Sequence, residues 1–206
     1  MRKLGLLFIG VVLALGVIAP ANAAKPTRTQ SANSSANAFW YFTDSPARNT
    51  VRNTVWYVGV FASNDGIWSD LYQDVETCVT RGHRTTCTYT SRYGFSDLSD
   101  GVFTIDADGL TVAHVEGTYN LETYDENGNL VSSDPTAIVA DFEGIGEIFQ
   151  NSGRSTYCDQ FICFRTTFTD ASRSAAATGT VNGADLGETY DAYLSSGASR
   201  EVVREK

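Results

Sequence analysis

The sequence predicts an all-β fold: an antiparallel meander that forms a barrel or a strongly curved sheet, with a two-sheet β-sandwich as the alternative. Tyr, Phe, Val, Thr and Ile are plentiful, turn residues recur between apolar runs, and no long segment has a helical period. Several of the strands exceed about ten residues and contain glycines such as Gly59 and Gly117 in mid-strand. Long strands with internal glycines are typical of a sheet that curls onto itself.

Residues 1–23 have the three parts of a secretory signal peptide. Arg2 and Lys3 supply the positive start, residues 4–18 are apolar, and residues 21–23 (Ala-Asn-Ala) match the small-x-small cleavage motif. The apolar run is shorter than the roughly 20 residues that a transmembrane helix needs. We therefore expect a secreted or extracytoplasmic protein with no membrane span after signal cleavage.

The mature chain is expected to have two parts. Residues 24–37 contain nothing that packs and predict a flexible lead-in, whereas residues 38–206 predict a single all-β domain. The chain is acidic, and losing Arg2 and Lys3 with the signal takes its net charge from −9 to −11. Because an acidic protein repels phosphate backbones and anionic surfaces, we expect no nucleic-acid partner.

Turn residues such as Asn, Asp and Gly divide the domain into candidate strands. The candidates span 39–43, 52–62, 67–80, 83–92, 101–106, 109–124, 129–148, 154–169, 173–182 and 187–195. The alanines at 175–177 leave a helical turn open as an alternative at that point.

Four cysteines in an exported chain predict two disulfides. A two-residue turn at residues 82–83 (Gly-His) would place Cys78 opposite Cys87 at a non-hydrogen-bonded site, where strands approach closely enough for a disulfide. Cys158 and Cys163 flank four residues and would close a second hairpin in the same way. The alternative crosses the two pairs and joins distant strands.

The sequence predicts a third hairpin, with its turn at residues 127–128 (Asn-Gly). A two-residue turn there pairs Glu126 with Asn129 and sets Val115 opposite Ala140. In this register the apolar residues of both strands share one face, as a half-buried pair of strands requires.

The opposite face of that hairpin is a possible polar cluster of His114, Glu116, Asp141 and Glu143. The cluster could bind a divalent cation or orient the imidazole as a base. The alternative is a solvent-facing pair of histidine and carboxylate, since opposite charges across strands are ordinary stabilisers of a sheet. We favour that alternative, and expect neither a bound metal nor a cofactor.

Aromatic residues are the most distinctive feature of the chain. Residues 39–42 and 55–61 are apolar on both faces of the predicted strands, so both faces need a cover. One interpretation is a ligand-binding cavity or aromatic groove, and the other is a packed core. The candidate ligand-binding residues are Trp40, Tyr41, Trp56, Tyr57, Trp68 and Tyr72.

No motif of a known catalytic class is present, so no catalytic residue is assigned and we lean against an enzyme. The leading hypothesis is a secreted, disulfide-stabilised domain that binds a small apolar or carbohydrate ligand. One alternative is an extracellular protein-interaction module that uses an outer sheet face. Another is a hydrolase built on two carboxylates.

Overall fold

The computed structural model describes residues 26–205, which form one antiparallel sheet of eleven strands. Within these residues there is no helix, so the predicted all-β class is confirmed. The strands are β1 (Thr27–Ala47), β2 (Thr50–Ser63), β3 (Gly66–Arg81), β4 (Arg84–Ser96), β5 (Val102–Ile105), β6 (Val112–Tyr124), β7 (Leu130–Gly144), β8 (Phe149–Cys158), β9 (Ile162–Val181), β10 (Ala184–Asp185) and β11 (Asp191–Glu205).

Eight of the strands close a ring of hydrogen bonds. From β9 the path runs through β11, β1, β2, β3, β4 and β6 to β7, which pairs back with β9. The ring is uneven, because β4 and β6 are joined by a single residue pair, Tyr93 and Glu122. The antiparallel sheet therefore closes without forming an even barrel, which is consistent with the predicted curved sheet and with the two-sheet sandwich alternative.

Alternate side chains of the strands fill the inside of the ring. Trp40 lies opposite Trp56, and the buried chains continue through Val58 and Leu71 on the neighbouring strands. Small residues make room for the tryptophans: a Cβ added to Gly179 would lie 3.0 Å from the Trp40 ring. This pairing of large with small side chains gives a packed core.

Four strands continue beyond the ring as a single layer, which we call the extension. It consists of residues 27–35 of β1, all of β8, residues 162–172 of β9 and residues 195–205 of β11, in the order β8, β9, β11, β1. The tip of the extension is the turn between β8 and β9. Most of its side chains are exposed or half-buried, and at the ring end Ala171 packs against the core.

The N-terminal part of β1 differs from its prediction. Composition predicts a flexible lead-in over 24–37, but residues 27–37 pair with β11 along their whole length. Ser31 bonds to Ser199 and Ser35 to Ser195 across the two strands. The partner strand lies at the other end of the chain, so the local composition of 24–37 does not reveal it. The predicted signal at residues 1–23 lies outside the described residues.

Two other strand predictions need correction. The candidate strand 154–169 is wrong, because the chain reverses between Cys158 and Cys163 and divides it between β8 and β9. The gap between the candidate strands 129–148 and 154–169 is also wrong, since residues 149–153 belong to β8 and Gly153 lies under the Phe168 ring. Residues 175–177 are strand rather than helix, because Ala175 and Ala177 alternate into the core.

Both local disulfides are confirmed. Cys78 is bonded to Cys87 with a Cα–Cα distance of 4.0 Å, and Gly82 in the turn between them has φ of +63°. Cys158 is bonded to Cys163 with a Cα–Cα distance of 4.1 Å. Two disulfides in an all-β domain are compatible with an extracellular location.

The register of the hairpin between β6 and β7 is confirmed over most of its length, with Val115 opposite Ala140. Its turn differs from the prediction. The ladder shifts beyond Thr123, so Glu126 and Asn129 do not pair. Instead the Asp125 carboxylate accepts hydrogen bonds from the backbone N–H groups of Asn127 and Asn129, which produces a wider loop.

Candidate ligand-binding surface

The outer surface of β1, β2, β3 and β4 carries rows of aromatic and acidic side chains. Because successive residues of a strand point to opposite faces, every second residue of these strands faces outward. One row crosses all four strands, with Phe39, Tyr57, Tyr72 and Tyr93 directly opposite one another. We call the surface around this row the tyrosine–carboxylate face, and it comprises Phe39, Tyr41, Tyr57, Trp68, Asp70, Tyr72, Asp74, Glu76, Tyr89, Tyr93 and Phe95.

Three carboxylates on β3 hold the tyrosines in place. Tyr93 donates to Asp70 at 2.6 Å from its hydroxyl, and Tyr72 donates to Asp74. Further along, Tyr89 donates to Glu76 at 2.5 Å, and Asn53 donates to the other oxygen of Glu76 at 2.8 Å. Hydrogen bonds to a charged acceptor are stronger than neutral ones, so the rings are held at defined positions on the sheet.

Tyr57 lies flat on the sheet because residue 59 is a glycine. Its ring extends over Gly59, and its hydroxyl donates to Asn37 at 2.8 Å. A Cβ added to Gly59 would lie 2.0 Å from that hydroxyl oxygen. On the other side the Phe39 ring packs against Tyr57, with 4.6 Å between ring centroids. The mid-strand glycine therefore creates a flat aromatic platform.

Four tyrosine hydroxyls of this face, those of Tyr57, Tyr72, Tyr89 and Tyr93, have raised pKa values. Burial raises the pKa of Tyr57 to about 12, and the hydrogen bond to Asp70 raises the pKa of Tyr93 to about 12. Asp74 raises the pKa of Tyr72, and Glu76 raises that of Tyr89. The same bond from Tyr89, with a second from Asn53, lowers the pKa of Glu76. At neutral pH the face therefore combines protonated tyrosines with a carboxylate that stays ionised.

A groove of about 290 Å³ runs along one side of the face. Tyr41, Asp74 and Tyr89 are among the residues that line it. The volume is at the lower end of the range for ligand pockets, so the groove fits one small ring rather than a large ligand.

The six aromatic residues singled out from the sequence divide between two environments. Trp40 and Trp56 lie inside the ring, exposed by 0% and 9%. Tyr41, Tyr57, Trp68 and Tyr72 lie on the tyrosine–carboxylate face. Among these, Trp68 stacks on Phe61 with 4.8 Å between ring centroids.

Most residues of this face were not among the candidates predicted from the sequence. Asp70, Asp74 and Glu76 alternate with Trp68 and Tyr72 along β3, and this alternation can be read from the sequence. Tyr89 and Tyr93 were missed as well, although the predicted turn at residues 82–83 puts both opposite β3. Extending the register of that hairpin across its whole length would have assembled the face.

The predicted polar cluster lies on the outside of β6 and β7, away from the tyrosine–carboxylate face. His114 Nδ1 lies 2.7 Å from an Asp141 oxygen, and His114 Nε2 lies 3.8 Å from a Glu116 oxygen. Glu143 lies opposite Val112 in the ladder. The two carboxylates in contact with His114 are mostly exposed, as in a solvent-facing pair.

One other group of metal-ligating residue types lies near the face. Glu76, Cys78 and Cys87 have ligand atoms within 4.8 Å of one another. Both cysteines are consumed by their mutual disulfide, so neither offers the thiolate that a metal would bind.

Within residues 26–205 no helix has the length and apolar character to span a membrane. A scan against protein-family models finds no family that matches the chain. A search of curated proteins likewise finds no relative.

Proposed function

We propose that this protein is an extracytoplasmic, non-catalytic domain that binds carbohydrate on its tyrosine–carboxylate face. The observation that carries the proposal is the row of Phe39, Tyr57, Tyr72 and Tyr93 with carboxylates on both sides of it. Asp70 and Asp74 lie on β3 at the positions before and after Tyr72 on the same face.

This arrangement suits the chemistry of a sugar ring. A pyranose has an apolar C–H face, which packs on aromatic rings, and a rim of hydroxyl groups, which donate to carboxylates. An ionised carboxylate has about four acceptor positions. Asp70 accepts one bond from Tyr93, and Asp74 accepts bonds from Tyr72 and Ser91, so acceptor positions remain for a ligand.

A carboxylate hydrolase is less consistent with these residues. Such an enzyme needs one carboxyl group that is protonated near neutral pH, which requires a raised pKa. The pKa of Glu76 is lowered by its bonds from Tyr89 and Asn53. Tyr57, Tyr72, Tyr89 and Tyr93 have raised pKa values, so at neutral pH they are protonated and do not act as general bases.

A second candidate is a protein-interaction role at the edge of the same face. Ile67, Trp68 and Phe95 are exposed around a groove that Asp65 and Asp97 also line. Aromatic side chains are enriched at the centre of protein interfaces, and polar side chains form the rim. A partner protein that competes with sugar for Trp68 and Phe95 would support this candidate.

Affinity electrophoresis against soluble polysaccharides tests the carbohydrate proposal. The panel comprises a β-glucan, a xylan, a mannan and a starch, and at least one of them should retard the protein. Tyr89→Ala and Tyr41→Ala should each weaken that retardation about tenfold, because each removes a stacking ring. Tyr89 is 73% exposed, so its removal leaves the core intact.

Tyr157→Ala is the matched control, since Tyr157 is a similarly exposed tyrosine on the extension. It should leave the retardation unchanged. If no polysaccharide in the panel retards the protein, or if Tyr157→Ala weakens retardation as much as Tyr89→Ala does, the proposal is wrong.

A further inference from the structure

One face of the extension collects arginines from all four of its strands. Alternation along the strands places Arg28, Arg154, Arg165, Arg200 and Arg204 on the same side. They line a groove of about 480 Å³, together with Val202 and the Cys158–Cys163 disulfide. We call this side the arginine face. The chain as a whole has a net charge of −9, so this cluster is a strong local exception.

The arginines form a checkerboard rather than a line. Arg165 lies opposite Val202, and Val202 lies opposite Arg28, so these two arginines share a row. Arg200 and Arg204 occupy the rows on either side. Diagonal neighbours of this kind lie roughly 7–8 Å apart, close enough for a planar guanidinium array to contact several neighbouring anions at once.

These charges have no acidic partner on their own face. The residues that the four strands contribute to it are otherwise Gln, Ser, Thr, Ala, Cys and Val, and Glu201 and Glu205 point to the opposite side. Asp108 comes close only at the ring end, where it lines a separate groove. Across residues 26–205, no salt bridge involves any of the five arginines, and all five are exposed.

A second feature lies at the tip of the extension, beside the arginines. The turn between β8 and β9 presents Phe161, which is 67% exposed, and Tyr157 nearby is 65% exposed. The disulfide between Cys158 and Cys163 closes this turn, and Asp159 accepts the backbone N–H groups of Phe161 and Ile162. The exposed ring is therefore carried on a constrained turn.

We propose that the extension docks on an anionic lipid surface. The arginine face binds phosphate headgroups, and Phe161 inserts at the boundary between headgroups and acyl chains. Arginine guanidinium groups bind phosphate in a bidentate manner, and aromatic rings are favoured at the boundary between headgroups and acyl chains. The combination of several cations with an exposed apolar tip is what peripheral binding to such a surface requires.

The acidity of the rest of the molecule does not cancel this attraction. The arginines lie along the outer half of the extension, which is about ten residues or roughly 30 Å long at about 3.3 Å per residue, so a lipid surface that contacts them is farther from most of the ring than from the arginines. Surface charges are screened over about 8 Å at physiological ionic strength. The acidic ring therefore contributes little repulsion and instead orients the molecule with its extension toward the lipid.

Sedimentation with vesicles tests the proposal, using the chain that lacks residues 1–23. The protein should sediment with vesicles of phosphatidylcholine mixed with phosphatidylglycerol, but not with phosphatidylcholine vesicles, and added salt should release it. R165Q/R200Q should weaken binding about thirtyfold, because each arginine near such a surface contributes about a factor of five. F161S should weaken it about tenfold.

R81Q/R84Q is the matched control, because these arginines flank the turn of the other disulfide-bonded hairpin, at the opposite end of the molecule. It should bind like the unmodified protein. Equal losses in R165Q/R200Q and R81Q/R84Q would overturn the proposal, as would equal binding to both kinds of vesicle. Binding to soluble polyphosphate without binding to vesicles would also overturn it. R154Q/R204Q provides a second charge variant if the first fails to fold.

Discussion

At the scale of single residues, the position of the Tyr57 ring depends on the absence of a side chain at Gly59. The hydroxyl of Tyr57 occupies the space that a Cβ at residue 59 would take, and from there it reaches Asn37. A glycine in a strand normally weakens it. Here the glycine is compensated by an aromatic ring that covers it and by a hydrogen bond between neighbouring strands.

Gly59→Ala should therefore destabilise the protein by about 1–3 kcal/mol, because the Tyr57 ring must move and its hydrogen bond is lost. Urea unfolding measures the change in the free energy of unfolding. The same substitution in a Tyr57→Ala background should cost much less, since the obstructing ring is gone. An equal cost in both backgrounds would show that Tyr57 is not the reason for the glycine.

The tyrosines of the face also predict a response to alkaline pH. The pKa values of Tyr57 and Tyr93 are about 12 in the folded protein, against an ordinary value of 10.0. A group whose folded pKa is raised stabilises the fold fully below its unfolded pKa. The free energy of unfolding should thus fall as the pH rises from about 10 to about 12.

Phenolate absorbance measures this titration directly. Y57F and Y93F should each remove one late-titrating tyrosine and flatten the alkaline loss of stability. If both variants titrate and unfold like the unmodified protein across that range, the burial assigned to the Tyr57 hydroxyl and the hydrogen bond assigned to Tyr93 are wrong.

At the scale of elements, the hairpins were the most predictable part of the fold. The turn at residues 82–83 sets the register of β3 and β4 by itself, and with it the Cys78–Cys87 pair and the Tyr72–Tyr93 contact. The turn near residue 127 was predicted less well. Asp125 widens that loop through bonds to backbone N–H groups, and local propensity does not distinguish this from a two-residue turn.

The local disulfides lead to a prediction about reduction. Each closes a short loop, so each should contribute about 2–3 kcal/mol by restricting the unfolded chain. C78S/C87S and C158S/C163S should each lower the melting temperature. The far-ultraviolet circular dichroism spectrum should stay intact, because none of these cysteines belongs to the buried core. Complete unfolding of either variant would mean that the fold depends on that bridge.

At the scale of the whole molecule, the features that could not be predicted are those formed by strands that are far apart in the sequence. β11 enters between β9 and β1, and this pairing gives residues 27–37 a partner from the last residues of the described chain. Turn motifs do not predict such a pairing, because the two paired segments are separated by most of the sequence. The extension and the closure of the ring therefore emerge only with the tertiary structure.

The distribution of charge was hidden for the same reason. A net charge of −9 predicts repulsion from anionic surfaces, yet Arg28, Arg154, Arg165 and Arg200 come from separate strands and meet only in the folded sheet. Net charge describes the average of the surface, whereas binding depends on a single face. The acidic and aromatic residues of the tyrosine–carboxylate face likewise come from four strands and form one surface only in the folded ring.

The central claim, that the tyrosine–carboxylate face is the carbohydrate-binding surface, is tested most directly by amide chemical-shift mapping with the polysaccharide that retards the protein most. We expect the perturbed amides to lie in β1 to β4, concentrated around Tyr57, Tyr72 and Tyr93. Perturbations confined to the extension, or to residues inside the ring, would contradict the claim and move the sugar-binding site elsewhere.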